Sequence, residues 1–117
     1  MRYVDGYVIP IPKKNLKTYA RMAKMGAAVW MKHGALDYKE CVGEDLQTKW
    51  GKSFSSMMKL KPGETVIFSY VVFKSRAHRD RVNTKVMKDM EKQGETCAMP
   101  FDIKRMVYGG FNVLVET

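Results

Sequence analysis

Apolar and polar residues alternate along residues 2–11, RYVDGYVIPI. Tyr3, Asp5, Tyr7 and Ile9 share one face and Val4, Gly6 and Val8 the other, which is the period of a strand. Pro10 and Pro12 are expected to end it, because proline cannot donate to a sheet ladder. The period then lengthens. Leu16, Tyr19, Ala20, Ala23, Ala27, Trp30 and Met31 recur at spacings of three and four, predicting a helix to about His33. Asn15 is its expected N-cap, and Gly34 offers the left-handed residue that suits a C-cap. Residues 35–45 alternate again, with Leu36, Tyr38, Glu40 and Val42 on one side and Asp37, Lys39 and Cys41 on the other. Glu40 is the odd member of that apolar side.

Residues 46–64 carry no clear period. Gly51, the serines 53, 55 and 56, and Pro62-Gly63 read as loop and turn. Trp50 and Phe54 are expected to pack this stretch back onto the body as a lid or an interface arm. Residues 65–73, TVIFSYVVF, are the most β-prone run of the chain. Ser75 then caps a second helix, whose stripe is Val82, Val86 and Met90 with Met87 beside them. His78 lies one turn before Val82 on that line. Gly94 is the expected helix end, residues 95–102 a linker, and residues 103–116 a last strand. Gly109-Gly110 within that strand suggests a bulge or a close approach of backbone or ligand.

The order β-α-β-β-α-β is that of an α+β, ferredoxin-like domain spanning residues 1–117. Its strands are apolar on both faces, as the pairs Tyr3/Val4, Ile67/Phe68 and Val113/Leu114 show. Two helices on one side can cover only one face. A second copy of the chain is the simplest cover for the other, so a homodimer is expected.

Composition narrows the function classes. Net charge is +9, from 21 Lys and Arg against 12 Asp and Glu, which favours anionic partners. The lysines are scattered rather than blocked, as on an ordinary solvated surface. No apolar run approaches the length of a membrane span, and the alternating start with Asp5 is unlike a secretory leader, so a cytoplasmic protein is expected. Cys41 and Cys97 stand far apart without a CxxC pattern and read as two reduced thiols. Phosphate loops, dinucleotide fingerprints, zinc motifs and nucleophile elbows are absent from the sequence, so neither metal nor cofactor is expected.

Three segments carry a resemblance to a known family: HGALDYKECVGED, KLKPGETVIFSYVVFKSRAHRDRVNTKVM and MPFDIKRMVYGGF. Through them the chain resembles the DUF1428 family. The resemblance implies a dimeric α+β barrel, two ferredoxin-like units with their sheets face to face. The wider superfamily includes cofactor-independent monooxygenases, muconolactone isomerases and haem-degrading enzymes, but the resemblance itself implies no reaction.

The densest chemistry is SRAHRD, where Arg76, Arg79 and Arg81 surround His78 and Asp80. Buried arginines need carboxylates, and Asp102 and Glu40 are the expected partners. Such pairing would leave an electropositive notch lined by His78, Asn83, Arg105 and Tyr108, with His33 facing it from the first helix. Glu40, a carboxylate among apolar neighbours, is a candidate base beside His78. Arg79 and Arg105 would hold the charge of a partly apolar, anionic small molecule, with Asn83, Tyr108 and His33 as further ligand contacts. Two alternatives stand against this enzyme or binder. One is a nucleic-acid binder using the basic face of residues 13–32, weakened by the absence of RNA-recognition strand aromatics. The other is a purely structural dimer whose Arg/His/Asp cluster is satisfied internally.

Overall fold

A computed structural model describes residues 1–93 and 99–117. The expected helix end at Gly94, the first part of the linker and Cys97 lie outside the described residues. The chain forms an α+β fold: β1 (Tyr3–Pro12), α1 (Leu16–Lys32), β2 (Asp37–Val42), a one-turn helix α2 (Phe54–Met57), β3 (Glu64–Phe73), α3 (Arg76–Gln93) and β4 (Val107–Asn112). The four strands make one antiparallel sheet in the order β2-β3-β1-β4. The resulting slab measures 38 × 38 × 20 Å.

Alternation in β1 and β3 decides which side becomes core. Paired residues of an antiparallel ladder share a face, so Tyr3, Asp5, Tyr7, Ile9 and Ile11 line up with Phe73, Val71, Ser69, Ile67 and Thr65 toward the helices. There Ala35, Val82 and Val86 meet Tyr3, Val71 and Phe73, while Tyr19 meets Ile9, Ile11 and Ile67. Val82 and Val86 are the stripe residues of α3 and are buried. The opposite face keeps Val4, Val8, Phe68, Tyr70, Val72, Val107 and Phe111, with Pro10 and Val66 buried at its end, and helix α2 sets Phe54 against Phe68.

Several expectations are corrected. Strand β1 does not stop at Pro10 but runs through Pro12. Lys13 N–H donates to Gly63 O on the β3 side, so alternation aims the nitrogens of Pro10 and Pro12 away from β3. Pairing with β4 ends at Val8, so no ladder bond is lost there. The second and last strands are shorter than expected, at Asp37–Val42 and Val107–Asn112. Gly109-Gly110 makes no bulge: the register with β1 is unbroken from Tyr3↔Asn112 to Val8↔Val107. The close approach there is by side chains. A Cβ on Gly110 would lie 2.8–2.9 Å from ring carbons of Tyr3, and the Phe111 ring lies over Gly6 and Gly109 on the open face.

Asn15 occupies the N-cap position of α1, but its amide donates to Pro100 O at 2.8 Å instead of capping the helix. Ser75 does cap α3, accepting from His78 N–H at 3.1 Å. Gly34 follows α1 with φ +110°, a conformation that favours glycine. Trp50 does not fold back: it is 87% exposed.

The charge is divided as sharply as the burial. Residues 13–32 and 76–93, the helical layer, hold twelve Lys and Arg against three Asp and Glu. The remaining residues hold nine of each, so the whole net charge belongs to the helices. Among the described residues, no helix is long and apolar enough to cross a membrane.

Candidate functional site

Two polar assemblies lie between the sheet and the helices. The first is built on Asp5, which alternation in β1 turns inward and which is 1% exposed. Asn83 Nδ2 donates to its Oδ2 at 3.2 Å, and Arg79 Nη1 stands 3.7 Å from its Oδ1. Both partners sit one turn apart on the inner face of α3. Arg79 also donates to the hydroxyls of Tyr3 (3.2 Å) and Tyr108 (3.3 Å), and its guanidinium lies 4.9 Å above the Tyr3 ring. Burial pushes the Asp5 carboxyl upward, and the Asn83 hydrogen bond and the Arg79 charge pull it back in part. Asp5 Oδ1 has no hydrogen bond among the described residues, so the ion pair is the compensation for its burial.

The second assembly is built on Glu40. Strand β2 turns it toward the helices opposite Ser69, where it accepts from Tyr19 Oη at 2.8 Å and Tyr38 Oη at 2.6 Å. Burial, reinforced by the Glu40 carboxylate, raises both phenols well above the ordinary tyrosine range. They are therefore fixed as donors at physiological pH. A cavity of about 210 Å³ opens here between the sheet and the two long helices. Its aromatic wall is Tyr7, Tyr19, Trp30, Tyr38 and Phe101, and Met22, Met90, Met99 and Met106 fill much of the rest. Glu40 is the one acidic or basic side chain in that wall among the described residues. A second groove, about 420 Å³, runs between α1 and β2 and shares Tyr19, Ala23, Tyr38 and Glu40 with the first.

Two side chains of the cavity wall join the assemblies, Tyr7 by its stack on Tyr108 and Trp30 by a hydrogen bond. Trp30 stands in the cavity wall with its ring 5.9 Å from Tyr38, and its indole N–H donates to Asn83 Oδ1 at 3.0 Å. The chain of contacts thus runs Trp30–Asn83–Asp5–Arg79.

The predicted site residues are distributed over this frame rather than gathered in one notch. Arg79, Asn83 and Tyr108 do meet, around Asp5. Tyr108 stacks on Tyr7 at 4.8 Å. His78 lies half-buried beside Phe73 and Gly34, away from both cavities, and its Nδ1 accepts from Lys74 N–H at 2.9 Å. Burial, then Lys74, Arg81 and Lys85, lower its pKa, so the neutral ring is favoured. His33 Nε2 pairs with Asp89 on α3 at 2.8 Å. Arg105 sits at the far end of β1, gripping Glu64 with both nitrogens (2.7 and 2.9 Å) and the carbonyls of Met58 and Lys59. That grip holds the Glu64 carboxyl down at about 2.

The expected partners of the arginines are corrected. Asp102 accepts from Lys104 N–H in its own turn, and Glu40 takes tyrosines. Asp5 and Glu64 are the acids that hold Arg79 and Arg105, both reached only through the antiparallel fold. The residues missed were Asp5, Tyr7, Tyr19, Trp30 and Tyr38. Asp5 left a signal: it is the only charge on the inward face of an otherwise apolar alternation.

A family model described as "Protein of unknown function (DUF1428)" matches residues 2–103. The chain belongs to the DUF1428 family. This DUF1428 chain is 37% identical over 118 residues to "Uncharacterized protein YbaA" of Escherichia coli strain K12, covering 99% of each. The YbaA of Shigella flexneri matches it to the same degree. Among solved structures, "De novo designed protein Foldit4" aligns over 97% of this DUF1428 chain and 99% of its own, at 9% identity and a TM-score of 0.47.

Proposed function

We propose that this chain is a cytoplasmic homodimer that binds a small, partly apolar molecule in the cavity beside Glu40. The observation that carries the reading is the carboxylate itself. A strand residue facing the helices is ordinarily apolar, and even a half-buried acid there costs free energy unless it is held by hydrogen bonds or retained for use. Here two tyrosines hold it in a defined orientation within an adaptable, methionine-rich wall. Glu40 is then the proton acceptor, or the anchor, for a bound molecule. A cavity of about 150 Å³ holds benzene, so about 210 Å³ suits a molecule of one or two small rings. His78, Arg105 and His33 serve the frame in this reading, and Arg79, Tyr108 and Asn83 brace the wall behind Trp30.

The dimer is part of the same proposal. The strand order is compatible with a ferredoxin-like unit, and pairing of two open faces would form the α+β barrel. Support comes from Phe68, Val107 and Phe111, which are 45%, 54% and 60% exposed on one face. The exposed free thiol of Cys41 suits a reducing compartment.

Titration with indole, followed by NMR of the tyrosine and methionine signals, tests the cavity. Saturable shifts at Tyr19, Tyr38 and Met90 are expected, and they should vanish in Ala23→Phe, which fills the space. Shifts that persist unchanged in that variant, or none up to the solubility limit, would remove the cavity as a site.

One observation favours a second reading, nucleic-acid binding by the helical layer: all of the net charge resides there. Fluorescence anisotropy with a labelled RNA should then show affinity falling steeply with salt. Salt-independent binding, or none at low salt, excludes it.

A further inference from the structure

We infer that the cavity selects an organic cation, an alkylated ammonium group, rather than the anion that the net charge of the chain suggests. The inference rests on the proposed use of this cavity and adds the class of ligand. It begins from sign. The protein is strongly basic, yet the cavity wall carries a carboxylate and no cation among the described residues. Arg79, which braces the wall behind Trp30, is already engaged: Asp5 lies 3.7 Å from Nη1 and Asp80 3.2 Å from Nε, and Nη1 and Nη2 donate to Tyr108 and Tyr3.

Hydrogen-bond polarity points the same way. Tyr19 and Tyr38 use their hydroxyl protons on Glu40, so what they turn to any other neighbour is lone pairs. An anion would meet acceptors on this side of the cavity. Apolar contacts complete the picture. Tyr7, Tyr19, Trp30 and Tyr38 supply electron-rich ring faces, and a cation within about 6 Å of such faces is attracted by their quadrupoles. Methionine sulfurs add polarisable contacts suited to methyl groups. A quaternary ammonium is the form that fits best, since it has no N–H groups to leave unsatisfied in an apolar wall.

The surface charge does not forbid entry. Lys24 borders the neighbouring groove, and the other helical lysines are solvated. At physiological ionic strength their fields are screened over about 8 Å, while a carboxylate inside the cavity acts at contact.

The test is a matched pair of probes. Choline and 3,3-dimethyl-1-butanol have the same shape, with nitrogen exchanged for carbon. Titrated calorimetrically into the full chain, choline is expected to bind about tenfold or more tightly than the alcohol. Glu40→Gln keeps an oxygen for a tyrosine and should erase most of that ratio, with the larger loss falling on choline. Should Glu40→Gln fail to fold, Trp30→Leu provides the second variant, with loss expected mainly for choline. Equal affinities for the two probes, or tighter binding of the alcohol, overturn the cation and leave the cavity standing. If neither probe nor indole binds, both the cation and the cavity fail.

Discussion

The two faces of one sheet solve opposite problems. Toward the helices the strands place buried Asp5 and Ser69 and half-buried Glu40 among tyrosines and isoleucines. On the other face, where Phe54 of α2 rests on Phe68, they place Val4, Val8, Phe68, Val107 and Phe111. The usual order of polar outside and apolar inside is inverted locally on both. The inner face compensates within the chain: Arg79 and Asn83 answer Asp5, and two tyrosines answer Glu40. The outer face is buried at its Pro10/Val66 end, but across Phe68, Val107 and Phe111 nothing within the described residues covers it. A close comparison is Gly109 with Gly110. They are neighbours in β4, yet one sits under Phe111 on the open side and the other yields its space to Tyr3 on the closed side.

The contrast can be broken most severely at Asp5. Asp5→Ala would leave the Arg79 guanidinium, whose side chain is 15% exposed, without its buried acid and with only the exposed Asp80 beside it. A loss of about 3–5 kcal/mol in urea unfolding is expected. A loss under about 1 kcal/mol would mean that the pair is solvated and the inner face less dry than described. Next in size is Gly110→Ala. The new methyl group meets the Tyr3 ring, which is held by Arg79, so about 1–3 kcal/mol should be lost. Gly109→Ala has ring atoms no nearer than 3.7 Å and should differ from the parent far less. Equal effects at the two positions would dissolve the distinction between the faces.

Acid sensitivity gives a smaller effect with a defined sign. The Glu64 carboxyl, held at about 2 by Arg105 against an unfolded value of 4.5, contributes stability that is complete above 4.5 and lost as pH falls toward 2. Glu64→Gln should flatten the melting temperature across that window. Asp5 acts the other way: its raised carboxyl favours the folded state at low pH, a contribution that fades as pH rises through its folded value. An unchanged acid slope in Glu64→Gln would place the sensitivity elsewhere.

The smallest change in chain stability belongs to the open face. Val107→Lys alters a residue 54% exposed and should leave the intrinsic stability of one chain within about 0.5 kcal/mol. If the proposed pair forms through this face, light scattering should nevertheless show its mass fall to that of one chain. A pair that survives this substitution uses another surface.

Much of this arrangement is legible in the linear sequence, because period is local. The alternation of residues 2–11 and 65–73 and the three-four spacing of residues 16–31 are properties of neighbours along the chain. They suffice for the elements, and for the unusual position of Glu40. Partners are not local. Asp5 meets Arg79 across 74 positions of sequence, and Glu64 meets Arg105 across 41. A histidine amid arginines draws the eye to residue 78, whereas the cavity is walled by tyrosines and methionines that look like ordinary core. The prolines of β1 mislead for a related reason: whether a missing N–H matters depends on how far the neighbouring strand extends.

The concentration of charge on the helices bears on how such a pair would respond to its medium. If two slabs 20 Å thick join by their open faces, the basic layers become the two outer surfaces, on the order of 40 Å apart. That separation is several screening lengths, so their mutual repulsion is nearly silent at physiological ionic strength. Salt would then strip a polyanion, or a cation-exchange resin, from the outside of the particle without loosening the seam at its centre. Its ionic adhesion and its cohesion would be separately adjustable.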